Sequence, residues 1–175
     1  MSYLVLDLLM LCFYCLYVDQ PSNPNCLFIG IQLFVTGKIA FQAFLTTDKI
    51  IHNNDNQVDV RVIFDEVRTN LGGAYNEHTG IFLAPVAGTY VFSLTFEIFS
   101  GTSHPKEGYL YLMKKGQIQL TLLADTHEQT GQNDMVTGTV VLALNAGDEI
   151  RVESYSDNLY IVGKHLTFFG GFLLG

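Results

Sequence analysis

The sequence predicts an all-β fold, a sandwich of two antiparallel sheets, and three observations lead to it. From Lys38 onward, short runs rich in β-branched and aromatic residues are separated by Gly, Asn and Asp clusters at fairly regular intervals, which is typical of sandwiches and barrels. In Gly88–Phe99 large apolar side chains alternate with smaller or polar ones, so one face of a long strand is buried. A row of aromatic side chains on one face needs a second sheet about 10 Å away to cover it.

The first residues differ in texture from the rest of the chain. Residues 3–18 are nearly all apolar and precede a polar, turn-rich break. This run has the length of a signal-peptide core and is short for a membrane span of about 20 residues, although it contains Asp7 and no basic residue precedes Lys38. We interpret residues 1–20 as a signal peptide or apolar leader; a membrane anchor, a packed helix and a misassigned start are the alternatives. Residues 21–37 are a linker without assignment, and residues 38–175 form the globular domain.

Within this domain, turn residues separate the predicted strands. Ala84–Gly88 contains a proline, which has no N–H to donate, so it breaks the ladder and lets a short strand turn away from the long one. Lys115-Gly116 and Asn145–Asp148 are predicted to be tight hairpins between antiparallel neighbours. Alternating charges in 149–153 predict one solvated face. The predicted strands are 39–46, 60–64, 73–76, 81–83, 88–99, 108–115, 117–124, 135–145, 148–155 and 165–174.

A set of residues carries a more specific pattern than the strands alone. It comprises Phe64, Asp65, Val67, Asn70, Gly72, Tyr75, Asn76, Thr79, Gly80, Phe82, Ala84, Pro85, Gly88, Tyr90, Phe92 and Ser93, followed by Leu112, Lys114–Gly116, Gly138–Leu142, Gly147, Asp148 and Phe169–Leu173. In type, order and spacing these residues closely resemble the globular-head signature of the complement C1q family over Lys38–Gly175. The resemblance implies a jelly roll like that of tumour necrosis factor and a compact trimer of heads. The chain has no collagen stalk and no cysteine in the head, as in the short, stalkless members.

The signature residues also have physical roles that the sequence predicts directly. Glycines 72, 80 and 88 fit turns in which a Cβ would obstruct the chain, and Gly170-Gly171 permits close backbone approach in the last strand. Four aromatic residues are expected to supply large buried area, namely Phe82, Tyr90, Phe92 and Phe172. All of these are scaffold residues, so none is assigned to catalysis.

Composition and motifs exclude several functions. The 17 acidic and 9 basic residues give a net charge of −8, which argues against nucleic-acid binding. The five histidines are scattered, and the sequence has no metalloprotease or nucleophile-elbow motif, so an enzyme is not expected. The acidic pairs Asp65-Glu66 and Asp148-Glu149 are predicted to be solvated or turn-capping. With 49% hydrophobic and 15% charged residues, the chain is rich in apolar side chains, which favours a leader, a subunit interface or both.

The resemblance leaves a calcium site open, because some members hold the ion with loop carboxylates and carbonyls. Glu107, Asp125 and Asp134 are the main candidates, with Glu128 and Asp157 as further donors, yet there is no D-x-D-x-D-G loop to fix a coordination shell. Ligand recognition is expected in loops, where side chains vary without disturbing the core. The predicted loops are Asn53–Asp59, Gly101–Glu107, Asp125–Asp134 and Ser156–Lys164.

Together, these expectations define a secreted, non-enzymatic homotrimer. The resemblance implies a lectin-like recognition module of innate immunity that binds carbohydrate or protein patterns outside the cell. The alternative is a receptor-binding signalling or structural ligand of the cerebellin or tumour necrosis factor type. A membrane partner is expected only if the leader is uncleaved.

Overall fold

The computed structural model describes residues 38–51, 60–101, 107–126 and 131–174. The predicted leader and linker, and the loop Asn53–Asp59, lie outside the described residues. Every regular element in the described part is a strand. The strands are β1 Ala40–Phe44, β2 Lys49–Ile51, β3 Val60–Arg61, β4 Glu66–Leu71, β5 Tyr75–Asn76, β6 Ile81–Leu83, β7 Gly88–Ser100, β8 Glu107–Lys114, β9 Gln117–Asp125, β10 Gln132–Leu144, β11 Glu149–Ser154, β12 Leu159–Val162 and β13 Phe168–Leu174.

The strands form two antiparallel sheets, as the sequence predicts. In the first sheet, β7 is central: β10 pairs with it along one side, and β13, β1 and β4 follow on the other. Near its C-terminal end β7 also pairs with β12, which pairs in turn with β2. The second sheet has the order β5-β6-β11-β8-β9, and β3 also pairs with β11. Because β6 belongs to the second sheet and β7 to the first, the chain changes sheets at Ala84–Gly88, which confirms the predicted break.

One face of β7 forms the centre of the core. Tyr90, Phe92, Leu94 and Phe96 are each 0% exposed, so the predicted alternation is confirmed. The ring of Phe92 lies 5.2 Å from that of Phe82 on the opposite sheet, measured between centroids. Aromatic pairs at this spacing add stabilisation beyond the apolar area that they bury.

The last strand contradicts one expectation. Phe172 is 46% exposed and Phe169 is fully buried. Side chains alternate along a strand, so Phe169 and Gly171 face the core and Phe172 faces outward. A Cβ on Gly171 would lie 2.5 Å from Cδ1 of Phe92, which explains why the core accepts only glycine at this close approach.

The two predicted hairpins have different outcomes. Lys115-Gly116 joins the paired strands β8 and β9 with φ of 49° and 74°, which confirms the tight turn. The hairpin predicted at Asn145–Asp148 is wrong, because β10 pairs with β7 whereas β11 pairs with β3, β6 and β8. This turn instead carries the chain between sheets: the Gly147 amide donates to the Ala84 carbonyl, and the Ala84 amide donates to the Asp148 carbonyl.

The structure also corrects several strand assignments. The polar strand β4 and the short strands β2 and β12 were not predicted from the sequence, and the predicted strand at 60–64 ends at Arg61. The predicted strand at 165–174 begins at Phe168, after a turn in which His165 has a φ of 67°.

Glu153 was expected on a solvated face but is 1% exposed. Its carboxylate accepts hydrogen bonds from Arg151 and from the Tyr155 hydroxyl, so the charge is buried with partners.

Candidate functional site

A row of apolar side chains crosses the outer face of the first sheet. The strand registers place Val141 opposite Val91, Val91 opposite Phe172, and Phe172 opposite Ala40. Ala40 in turn lies opposite Leu71. Val141, Phe172 and Leu71 are 59%, 46% and 49% exposed. Five strands therefore contribute one continuous apolar row, which we call the outer apolar row.

The surroundings of this row are mostly uncharged. Leu174 lies one register step away and is 53% exposed. On the other side, the hydroxyls of Ser93 and Thr139 are 2.9 Å apart, and those of Thr95 and Thr137 are 2.8 Å apart. Each of these four hydroxyls on β7 and β10 therefore has a partner on the neighbouring strand.

Of the three main calcium candidates, two lie at one end of the second sheet and the third lies in a strand of the first sheet. Glu107 begins β8, Asp125 ends β9, and the two are directly opposite in the strand register. Asp134 lies in β10, where its carboxylate accepts a 2.8 Å hydrogen bond from the Asp125 amide. Asp157 lies in a turn, and Glu128 is outside the described residues.

Glu107, Asp125 and Asp134 were expected on loops because the sequence does not show how far β8, β9 and β10 extend. The loop predicted at Ser156–Lys164 likewise contains β12. No group of three or more His, Cys, Asp or Glu side chains within the described ranges is arranged to hold a metal ion. Calcium binding therefore remains a prediction from the resemblance.

The scaffold residues of the signature form a connected set of backbone clamps. The Asn70 side chain donates to the Tyr75 carbonyl at 2.8 Å and accepts from its amide at 3.2 Å. The Tyr75 hydroxyl donates to the Phe64 carbonyl at 3.1 Å; burial raises the pKa of this phenol, so it stays protonated. Gly72 and Gly80 have φ of 82° and 68°, which non-glycine residues rarely adopt.

One further clamp and one close approach lie where the chain changes sheets. The Tyr90 hydroxyl donates to the Val86 carbonyl at 2.8 Å, next to Pro85. Gly88 was expected in a turn but begins β7 without a positive φ; the glycine is needed for packing, because a Cβ would be 2.6 Å from the side chain of Leu173.

Asp148 confirms the turn-capping prediction. It is 2% exposed, and its carboxylate accepts from the Asn145 amide at 3.0 Å. The same carboxylate lies 2.7 Å from Nζ of Lys115 and 3.2 Å from Nζ of Lys114. Lys115, the Asn145 amide and Lys114 hold the pKa of Asp148 far below its usual range. Asp65 plays a similar part at Thr46, where its carboxylate accepts from both the amide and the hydroxyl.

The described histidines have structural surroundings. His165 Nε2 lies 2.6 Å from the Glu66 carboxylate at the surface, and His78 is an exposed turn residue. His52, His104 and His127 lie outside the described residues. In the described part of the chain, no helix is long and apolar enough to span a membrane.

The chain is similar to known proteins over most of the described region. The model of the C1q domain family matches residues 40–174. The chain is 34% identical over 139 residues to "Complement C1q tumor necrosis factor-related protein 3" of Homo sapiens, an alignment that covers 78% of this chain and 51% of the relative. The Mus musculus protein of the same name matches to the same extent. The chain thus spans about half the length of these relatives.

Solved structures share the fold at lower identity. The globular domain of zebrafish complement 1qA protein superposes with a TM-score of 0.57 at 21% identity, covering 79% of this chain and 98% of that one. Eiger TNF from S. frugiperda gives a TM-score of 0.60 at 14% identity, covering 79% and 94%. The two-sheet sandwich described above is therefore a jelly roll of the C1q and tumour necrosis factor type, and the chain belongs to the C1q domain family.

Proposed function

We propose that the chain is an extracellular, non-enzymatic recognition module whose heads assemble as a homotrimer and bind a carbohydrate or protein ligand. The outer apolar row is the observation that carries the assembly part of this proposal. Membership of the C1q domain family, and the similarity to C1q tumour necrosis factor-related proteins, support the recognition part.

The outer apolar row has the properties of a self-association surface. Exposed apolar side chains that form one continuous patch are typical of subunit interfaces, whereas scattered ones are common on any protein. None of the five residues in the row is charged. A chain with a net charge of −8 repels its own copies, so an uncharged face is where association costs least. Closed cyclic symmetry then limits the number of copies, and the family resemblance favours three.

The proposal extends to the ligand of the chain and to its location. We propose secretion, lectin-like binding of carbohydrate and a role in innate immunity, with the resemblance as their support. Receptor binding, as by a cerebellin or a tumour necrosis factor, is the second hypothesis, and the similarity to C1q tumour necrosis factor-related proteins favours keeping it. Fold alone does not distinguish between them, because the binding surface determines function.

Paired surface substitutions test the assembly. Phe172→Lys places a charge in the outer apolar row, and Leu83→Lys is the matched control, because Leu83 is 49% exposed on β6 of the second sheet. We expect light scattering to report a loss of the trimer for Phe172→Lys and an unchanged mass for Leu83→Lys. Unchanged mass for both variants would contradict an interface at this row.

Binding assays test the ligand. Immobilised glycans, bacterial polysaccharides and candidate protein receptors are offered to the full chain with and without calcium. Calcium-dependent retention on a glycan would support the lectin-like hypothesis and the calcium prediction together. Retention on a protein receptor alone would support the second hypothesis.

A further inference from the structure

A cleft lined by tyrosines lies on the outer face of the second sheet, separate from the outer apolar row. Its volume is about 360 Å³. Alternation along β8 places Tyr109 and Tyr111 on the same face, and the chain leaving β11 brings a third tyrosine beside them. The lining residues are Glu107, Tyr109, Tyr111, Tyr155, Ser156 and Asp157.

The three rings have a defined arrangement. The rings of Tyr109 and Tyr111 are nearly parallel, with an interplanar angle of 7° and centroids 6.3 Å apart. The ring of Tyr155 is tilted by 52° to that of Tyr111, with centroids 5.1 Å apart. Two hydrogen bonds fix the strand beneath them: Ser154 Oγ donates to the Tyr109 carbonyl at 2.9 Å, and the Tyr109 amide donates to Ser156 Oγ at 3.1 Å. The aromatic surface is therefore largely preformed, which lowers the entropic cost of binding.

The electrostatic surroundings of the cleft are negative. Carboxylates of Glu107 and Asp157 line it, and Asp125 lies opposite Glu107 in the strand register. The charge of Glu107 is the main cause that raises the pKa of the Tyr109 phenol. None of the lining residues is basic.

The nearby cation of β11 is already engaged. Arg151 contacts the carboxylate of Glu149 at 3.9 Å and also that of the buried Glu153. Glu153 in turn accepts from the hydroxyl of Tyr155 at 3.0 Å, so it orients a ring of the cleft. Arg151 is therefore engaged with carboxylates of its own strand, whereas the two carboxylates at the rim of the cleft belong to β8 and to the turn that follows β11.

We propose that this tyrosine cleft binds a cationic side chain, an arginine guanidinium or a lysine ammonium, that a protein partner presents. Aromatic faces attract cations through the ring quadrupole, and neighbouring carboxylates add a charge that a neutral ligand would not use. The volume lies at the lower end of the range for ligand sites, about 300–1,000 Å³, which fits one side chain and its flanking backbone better than an extended polysaccharide. The inference rests on the proposed function only in that the chain is a binding module. It adds the chemical class of the group that the partner presents.

A pair of peptides tests the proposal on the full chain by calorimetry at low ionic strength. The probe is acetyl-Gly-Gly-Arg-Gly-Gly-amide, and its control replaces arginine by citrulline, which keeps the shape and removes the charge. We expect the citrulline peptide to bind about tenfold more weakly or not at all, because both the cation–π attraction and the attraction to carboxylates need the charge. The affinity of the arginine peptide should fall as salt is raised. Equal affinity for both peptides would overturn the proposal.

Variants of one ring separate the aromatic face from its hydroxyl. Tyr111→Leu should weaken the arginine peptide by about three- to tenfold, whereas Tyr111→Phe, which keeps the ring, should bind as the unmodified chain does. Glu107→Gln provides a second variant that removes charge without changing size, and it should also weaken binding. Full binding by Tyr111→Leu and Glu107→Gln would refute the cleft as the site.

Two further readouts complete the test. The first is the binding of maltohexaose. If this sugar binds, its binding requires Tyr111 and does not change with salt, and the arginine peptide does not bind, then the cleft is a carbohydrate site and the proposal is wrong. Mass is measured on the same samples. If the chain is a monomer and binds the arginine peptide, the proposed trimer is wrong and the cleft proposal stands. If the chain is a trimer and does not bind the peptide, only the cleft proposal is wrong.

Discussion

Replacing Phe92 by alanine perturbs the centre of the sandwich. Phe92 is 0% exposed, and its ring centroid lies 5.2 Å from that of Phe82, 6.0 Å from that of Phe169 and 6.2 Å from that of Tyr90. The substitution removes a large side chain and leaves a cavity lined by rings that belong to three different strands. Phe→Ala changes in such cores cost about 3–5 kcal/mol. For a domain of this size, that loss corresponds to a fall of about 10–20 °C in the melting temperature.

The matched control is Thr95→Ala on the other face of the same strand. Thr95 is 3% exposed, so neighbouring side chains cover it although the outer face on which it lies also carries exposed residues, and its hydroxyl pairs with the hydroxyl of Thr137. Thr137 is itself exposed, so water can replace the lost partner. We expect a loss of about 1 kcal/mol, the usual net value of one hydrogen bond.

Urea unfolding of the full chain, followed by circular dichroism at one protein concentration, measures both free energies. The concentration must be equal because association stabilises the folded state by mass action. Equal losses in the two variants would refute the assignment of the buried face. A larger loss for Thr95→Ala than for Phe92→Ala would invert the register of β7.

Three other substitutions test the close contacts and the charged turn. Gly171→Ala should lower the free energy of unfolding by about 1–3 kcal/mol, since its Cβ would lie 2.5 Å from the Phe92 ring. Gly88→Ala should lower it less, because the atom that its Cβ meets is the end of the flexible Leu173 side chain. Equal thermal shifts in the two variants would contradict this reasoning. Asp148 has a depressed pKa in the folded state, so its stabilising effect is fully present above its unfolded pKa of about 3.9 and is lost progressively as the pH falls from there towards the folded pKa. Unfolding free energies measured from pH 7 to pH 3 should therefore decline less steeply in Asp148→Asn than in the unmodified chain, and parallel declines would show that the turn does not contribute.

Local patterns in the sequence predicted the parts of the fold that depend on neighbouring residues. The period of two in β7 is such a pattern, because alternation places each side chain on one face whatever the partner strands are. Lys115-Gly116 is another, since the turn geometry follows from the two residues themselves. The strand β4 was missed because its exposed, polar residues include Arg68 and Asn70 and show no apolar period.

Features that depend on distant strands could not be predicted in this way. Whether Asn145–Asp148 closes a hairpin or changes sheets depends on its contacts with Ala84, which is far away in sequence. Phe172 fits the resemblance as an aromatic residue, but the sequence does not show which face of the sheet it lies on. Gly171 faces the core against Phe92, so its neighbour Phe172 faces outward. The outer apolar row and the tyrosine cleft each combine residues from separate strands, so only the registers bring them together.

The mass of the unmodified chain in solution tests the account most directly. Light scattering coupled to size exclusion, repeated from about 1 to 100 μM, reports the number of copies at each concentration. The account predicts three copies, with the outer apolar row covered in the assembly. A single copy across the whole range would contradict it, because the exposed Val141, Phe172 and Leu71 would then remain in water without a function in assembly.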